Sequence, residues 1–221
     1  MVGAGLLSTS DWTASWISPD SLVRGVFDVA TAYLSYSARL MARIADVISR
    51  SLLEPARWDA LADAARNAWQ REFIGPDGRL TPDTQANHVR ALAFDLVPPP
   101  LRAAVADRLV TLVEAAGVHL TTGFLATPDL LPVLADEGHF DVAYALLRQD
   151  TPPSWLTMID RGATTMWERW DGVTADGVAH ESLNHYAKGA VVSYLHRYVA
   201  GLTPIDPAYR SFRVQPRPGG A

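Results

Sequence analysis

The feature that most constrains the fold is a long run of apolar residues at helical spacing near the start of the chain. From Leu22 to Ser51, apolar residues recur at three- and four-residue intervals, and Asp20 or Ser21 can cap the segment. This spacing is typical of an amphipathic α-helix with a wide apolar face. The pattern therefore predicts one long helix with an apolar face of Val26, Val29, Ala30, Tyr33, Leu34, Ser37, Leu40, Met41, Ile44 and Ile48.

The helical period continues along most of the chain and is interrupted by proline and glycine. Turns are predicted at Gly75–Gly78, Pro98–Pro100 and Gly117. Helix pairs with functional residues on the loops at one end are typical of an α/α toroid or a helical bundle. We therefore predict an all-α fold, with further helices over residues 55–73, 81–96, 101–116, 129–137, 140–149 and 181–201.

The C-terminal residues differ from the rest of the chain. Phe212–Gln215 alternates in the manner of a strand and is followed by Pro216 and Pro218. A single strand cannot form a sheet by itself. We expect residues 1–203 to form the helical domain, and residues 204–221 to be a linker and the first strand of a further β-domain, or a frayed tail.

Composition excludes several classes of function. The formal net charge of −5 lacks the basic excess of nucleic-acid-binding proteins. The absence of cysteine excludes disulfides, a thiol nucleophile and zinc–thiolate sites. The histidines are scattered, and no phosphate-binding glycine loop is present, so we expect no metal and no cofactor. With no signal peptide and no membrane-length apolar run, we expect a cytoplasmic protein that does not bind membranes.

The segment Trp167-Glu168-Arg169-Trp170 carries the strongest chemical signal. Tryptophan faces suit the apolar side of a pyranose ring, and charged groups suit its hydroxyls. A carboxyl held among aromatic rings loses solvation, which raises its pKa and favours a role in proton transfer. The segment predicts a sugar-cleaving site centred on Glu168, although the same pattern also fits a surface glutamate beside two core tryptophans.

Several stretches together resemble the bacterial α-L-rhamnosidases of glycoside hydrolase family 78. They are Leu120–Pro128 and Ala163–Gly172, the run Leu183-Asn184-His185-Tyr186-Ala187-Lys188-Gly189-Ala190-Val191, the stretch Arg197–Leu202, and Ser10-Asp11-Trp12, which is similar to a Gly-Asp-Trp loop. The resemblance follows one order along essentially the whole chain.

The resemblance implies a partial (α/α)6 six-hairpin domain that hydrolyses terminal α-L-rhamnosides with inversion. Inversion needs two carboxyl groups roughly 6.5–9.5 Å apart, one acting as acid and one as base. The family's pattern gives Glu168 the role of general base and favours a sugar contact for His185. By their own chemistry, Asp11 and Trp12 fit a polar and stacking pair for a sugar. Trp167 and Trp170 are candidate stacking faces, although both also fit core positions. Its general-acid motif, Asp-x-x-x-Arg-x-Glu-Arg-x-Gly-Trp-x-Gly-Asp, does not occur in this sequence.

The missing acid motif implies that the chain corresponds to the C-terminal part of the catalytic domain and is inactive alone. Its expected partners are a rhamnose-containing glycoside and either the missing N-terminal half or a second copy of the chain. The alternative is a non-catalytic helical subunit that binds carbohydrate or a partner. In that case Trp167 and Trp170 matter and Glu168 does not. Independently of this alternative, His185 also fits a core or capping residue, and Asp11 and Trp12 also fit an ordinary loop.

Overall fold

The computed structural model describes residues 19–48 and 53–219 and confirms the predicted all-α fold class. The helices are α1 (Pro19–Ile48), α2 (Leu53–Phe73), α3 (Gln85–Ala93), α4 (Arg102–Ala115), α5 (Thr127–Asp136), α6 (Phe140–Leu147), α7 (Trp155–Asp160) and α8 (Val191–Tyr194). Short 3₁₀ turns occupy Pro99–Leu101, Ala187–Ala190 and Pro207–Tyr209, and a π turn occupies Leu195–Val199. The strands are β1 (Leu202–Pro204) and β2 (Phe212–Val214). No helix in the described ranges is long and apolar enough to cross a membrane.

The described residues divide into two compact units at the Arg108–Leu109 peptide. In the first unit, α1 and α2 form an antiparallel hairpin. Arg39 of α1 binds Asp59 and Asp63 of α2, and one turn earlier Ser35 donates to the Ala62 carbonyl at 2.9 Å. Among the side chains described for α1, residues 27–48, the buried apolar ones are all alanine: Ala32, Ala38, Ala42 and Ala45.

A buried polar network joins three helices of this unit. Asp28 of α1 accepts a hydrogen bond from the Trp69 indole of α2 at 2.6 Å and pairs with Arg90 of α3 at 2.8 Å. Asp28 is 1% exposed and Arg90 is 5% exposed. The Arg90 Nε and Nη1 atoms are buried and have no partner among the described residues. The Asp28 carboxylate therefore provides the compensation for this buried cation.

The predicted bounds of α3 were too wide, because the capping residue decides where the helix starts. The Thr84 hydroxyl accepts a hydrogen bond from the Asn87 amide at 3.2 Å, and Thr84 itself is extended. The helix therefore begins at Gln85 rather than at residue 81.

In the second unit, α5 buries Leu130, Leu131 and Leu134 and packs against α6, which buries Ala143 and Leu146. The sequence pattern predicted no helix between residues 149 and 181, but the structure has one there, α7 (Trp155–Asp160). Ser154 accepts a hydrogen bond from the Thr157 amide at 3.1 Å and caps the short helix α7. Pro152 and Pro153, directly before this helix, favour a turn in the sequence pattern. Ser154 is nevertheless a residue type that commonly caps a helix.

The strand predicted at the C-terminus is present, and it has a partner. β2 pairs antiparallel with β1, with Leu202 opposite Val214 and Pro204 opposite Phe212. The expected lone strand is therefore one arm of a two-stranded ribbon. The assignment of residues 204–221 to a further β-domain stays a prediction.

Candidate active site

Glu168 lies in an irregular hairpin between α7 and the 3₁₀ turn at Ala187–Ala190. Two backbone segments are paired here by main-chain hydrogen bonds. The His185 amide donates to the Met166 carbonyl at 2.7 Å, and the Glu168 amide donates to the Ser182 carbonyl at 2.9 Å. Further out, the His180 amide donates to the Gly172 carbonyl at 2.8 Å. The tip turns at Gly177, whose φ of +81° favours glycine.

The prediction of a helix over residues 181–201 was wrong in its first part. The backbone amide of His185 and the carbonyl of Ser182 are used to pair with the Glu168 segment, so residues 181–186 are not helical. Helical structure begins at Ala187 and changes from 3₁₀ to α to π geometry by Val199.

The Glu168 carboxylate is held close to its own hairpin. Its Oε2 accepts a hydrogen bond from the Ser182 amide at 3.3 Å, and the side chain is half-buried. The residue is therefore fixed through its backbone while the carboxyl group keeps access to solvent.

Lys188 is the residue that the sequence analysis missed. It is 2% exposed, and its ammonium group donates to the carbonyl oxygens of Glu168 and Trp167, the latter at 3.4 Å. The same nitrogen lies 4.6 Å from the centroid of the Trp170 ring, within cation–π range. Lys188 therefore contacts three of the four residues of the Trp-Glu-Arg-Trp segment, all but Arg169. A lysine at a helix start gives no sequence signal for such a role.

Trp167 is 3% exposed, so its indole forms part of the packing beneath Glu168. Gly172 makes this packing possible, because a Cβ atom there would lie 2.9 Å from Trp167 Cβ and 3.1 Å from the ring. The prediction that Trp167 contacts a sugar stays a prediction.

Replacing Gly172 with alanine is expected to lower the free energy of unfolding by about 1–3 kcal/mol, because the added methyl group overpacks Trp167. Gly189→Ala is the matched control, since its Cβ would meet only Met166 Cγ, at 3.4 Å. Urea unfolding of both variants measures the difference. Equal stability of the two variants would show that the Trp167 side chain adjusts freely.

Trp170 is half-buried and packs edge-to-face on Trp155, with ring centroids 5.2 Å apart. Trp155 in turn donates its indole N–H to the Lys188 carbonyl at 3.0 Å. The Trp170 Nε1 atom is buried and has no acceptor among the described residues. Trp170 therefore connects the Glu168 hairpin to α7, and its predicted sugar contact is untested.

His185 is half-buried, and its ring stacks on Tyr186 with centroids 5.1 Å apart. A second aromatic ring, that of Phe124, meets it edge-on at 5.3 Å. The Nδ1 atom accepts from the Ala187 amide at 3.4 Å, so in a neutral imidazole the proton is on Nε2. His185 thus keeps one N–H that can donate to a ligand hydroxyl. The other two predicted substrate-binding residues, Asp11 and Trp12, lie outside the described residues.

Arg169 forms an ion pair with a carboxylate in the same loop. Its guanidinium group binds Asp171 through two hydrogen bonds, at 2.8 and 3.1 Å. These bonds hold the pKa of the Asp171 carboxyl below its usual value and raise the pKa of Arg169. The Arg169–Asp171 ion pair lies within the loop that follows Glu168, and the Arg169 charge is compensated by Asp171.

Asp129, in the first turn of α5, lies in a half-buried position, and burial raises the pKa of its carboxyl. A raised folded-state pKa means that stability is lost as the pH rises from the unfolded value of about 3.8 through the folded value. Asp129→Asn is therefore expected to raise the melting temperature at pH 7, and the gain should vanish below about pH 3.8. Asp141→Asn, in the first turn of α6, is the exposed control. Melting curves from pH 3 to pH 8 test this, and a gain that is independent of pH contradicts it.

Comparison with known proteins adds to this geometry. Residues 7–199 match the family model described as the bacterial alpha-L-rhamnosidase 6 hairpin glycosidase domain. An alpha-L-rhamnosidase from Streptomyces avermitilis is 45% identical over 221 residues, which cover 98% of this chain and 21% of the relative.

Two solved structures have the same fold as this chain. The crystal structure of the Streptomyces avermitilis alpha-L-rhamnosidase complexed with L-rhamnose aligns with a TM-score of 0.81 and 47% identity, over 87% of this chain and 19% of that one. The native rhamnosidase of Aspergillus terreus aligns with a TM-score of 0.80 and 33% identity, over 86% and 22%. The chain thus spans about a fifth of the length of these relatives.

Proposed function

Because this chain belongs to the bacterial α-L-rhamnosidase six-hairpin glycosidase family, we propose that it forms the base-bearing part of a domain that hydrolyses terminal α-L-rhamnosides with inversion. Glu168 is the general base that activates water. His185 and Trp170 contact the sugar, together with Asp11 and Trp12.

The observation that carries this proposal is the way Glu168 is held. Its amide and carboxylate bind the Ser182 backbone, and its carbonyl accepts from buried Lys188. These bonds fix the main chain on both sides of the carboxyl group, which reduces the cost of orienting the base toward a water molecule.

Hydrolysis also needs a proton donor for the leaving oxygen. The sequence lacks the acid motif that the resemblance requires, so the chain alone is expected to be inactive. A further part of the six-hairpin domain supplies the acid and completes the rhamnose pocket.

A chimera tests this function directly. The matched segment of the Streptomyces avermitilis rhamnosidase is replaced by residues 7–199 of this chain, and cleavage of p-nitrophenyl α-L-rhamnoside is followed. We expect the chimera to release β-L-rhamnose first, as detected by proton NMR, and the isolated chain to be inactive. A folded but inactive chimera, or release of the α-anomer, would overturn the proposal. Saturable rhamnose binding without cleavage would favour a binding module instead.

Lys188→Met in this chimera is expected to lower kcat by about 10- to 100-fold with a smaller change in KM, because the carbonyls of Trp167 and Glu168 lose their donor and the base is misplaced. Lys188→Arg keeps the charge and should restore part of kcat. Steady-state kinetics measures both. An unchanged kcat in the methionine variant would limit Lys188 to packing.

A further inference from the structure

Asp129, the third residue of α5, is a half-buried carboxylate without a partner among the described residues. Its side chain forms no hydrogen bond or ion pair with them, and burial alone raises the pKa of its carboxyl. An acidic residue in a first turn is favoured by the helix dipole, but an exposed carboxylate gains the same interaction without the cost of burial. The position of Asp129 therefore requires an explanation other than the stability of α5.

Two contacts show how α5 lies against the helical segment 187–199. Just before α5, the Phe124 ring meets the His185 ring edge-on, with centroids 5.3 Å apart. At the other end of α5, the Tyr198 hydroxyl donates to the Asp136 carboxylate, 2.9 Å from both of its oxygens. The two segments therefore lie side by side and run in the same direction, and α5 packs against the start of the second one. This places the first turn of α5 at the end where His185 lies.

The Glu168 hairpin meets the same end of the segment. The His185 amide donates to the Met166 carbonyl at 2.7 Å, two residues before Glu168. Lys188, three residues after His185, donates to the Glu168 carbonyl. The first turn of α5 and the candidate base therefore both adjoin the start of this segment.

The loop before α5 holds the first turn in a fixed position. The Thr127 hydroxyl donates to the Gly123 carbonyl at 2.9 Å, and the Thr122 hydroxyl lies 2.8 Å from the Thr127 hydroxyl oxygen. Both threonines are buried, so these bonds are shielded from water. The main chain that carries Asp129 is therefore ordered before any ligand arrives, which is what a selective binding group needs.

We propose that Asp129 is a specificity-determining residue, whose carboxylate accepts a hydrogen bond from a hydroxyl group of the glycoside substrate. This role rests on the proposed function and adds to it a group that selects the substrate. Sugar hydroxyls donate as well as accept, and an ionised carboxylate is a strong acceptor. His185 adds a donor, its Nε2–H, at the same end of the segment. The substrate hydroxyl gives the Asp129 carboxylate the partner that the described residues do not supply.

The test measures Asp129→Asn in the chimera with the Streptomyces avermitilis enzyme, on two substrates. p-Nitrophenyl α-L-rhamnoside has hydroxyl groups only on rhamnose, whereas a rhamnosyl-glucose disaccharide also has them on the leaving sugar. Loss of a hydrogen bond to a charged acceptor should raise KM by about 10- to 100-fold, with kcat within about threefold of the parent chimera. A rise with both substrates assigns the hydroxyl to rhamnose, and a rise with the disaccharide alone assigns it to the leaving sugar. Asp141→Asn, an exposed carboxyl in the first turn of α6, is the control and should leave KM unchanged.

Monodeoxy analogues of the sensitive substrate give a readout that a structural effect would not change. The analogue without the partner hydroxyl should have the same KM in the parent and the Asp129→Asn chimera, while the other analogues keep the difference. An unchanged KM on both substrates, or an equal rise on every monodeoxy analogue, excludes this role. A fall in the melting temperature of the sugar-free variant also excludes it, because the carboxylate would then have a partner within the protein.

Failure of this role is distinguishable from failure of the proposed function. Glu168→Gln lowers kcat with little change in KM, whereas Asp129→Asn does the reverse. If the chimera cleaves neither substrate, the proposed function fails. The dissociation constants of L-rhamnose and of the disaccharide, followed by tryptophan fluorescence, then replace KM and still show whether Asp129→Asn weakens binding.

Discussion

Replacing Glu168 with glutamine in the chimera is expected to reduce α-L-rhamnoside hydrolysis by about 10²- to 10⁴-fold, the usual contribution of a general base. Glutamine has nearly the same shape and retains an oxygen that can accept the hydrogen bond from the Ser182 amide. It cannot take a proton from water. The loss should therefore appear in kcat, while KM for p-nitrophenyl α-L-rhamnoside changes little.

The matched control is Glu181→Gln, an exposed carboxyl in the same irregular hairpin. It removes one negative charge from the same region and should leave kcat within about twofold, since charges in exposed positions are screened. If both variants lose activity equally, the effect is electrostatic and is not specific to Glu168. If neither loses activity, the general base is another group.

Replacing Asp28 with alanine is expected to lower the free energy of unfolding by about 3–5 kcal/mol, because it leaves the Arg90 cation buried without compensation. Two nitrogens of the Arg90 guanidinium already have no hydrogen-bond partner among the described residues. Without Asp28, the third nitrogen would also lose the carboxylate that it binds. The Trp69 indole N–H would lose its acceptor as well. Urea unfolding followed by circular dichroism measures the change.

Two further variants serve as comparisons for Asp28→Ala. Asp46→Ala removes an exposed carboxyl from the same helix and should change stability by less than about 0.5 kcal/mol. Asp28→Asn keeps an acceptor for Trp69 without the charge, so it should lie between the other two. A loss below about 1 kcal/mol for Asp28→Ala would mean that water reaches Arg90 and replaces the carboxylate.

Most of the helical framework could be predicted from the sequence because its signals are local. The apolar period predicted α1 and α2, and the turn predicted at Gly75–Gly78 follows the end of α2 at Phe73. The motif around Glu168 identified the family, which the family model confirms. The errors came where capping or long-range pairing overrides the local pattern. Ser154 starts α7 after two prolines, and the pairing of Ser182 and His185 with residues 166–168 prevents a helix there.

By itself, the sequence determined the helical class, the family and Glu168 as the candidate base, because periodicity and a contiguous motif are properties of neighbouring residues. Only the tertiary structure decided that Lys188 binds the Glu168 carbonyl across 20 residues and that Arg90 pairs with Asp28 across 62. It also decided which apolar face of α1 is packed and which is exposed. Such contacts depend on how distant helices and loops pack together, and neither the spacing nor the composition of any one segment encodes them.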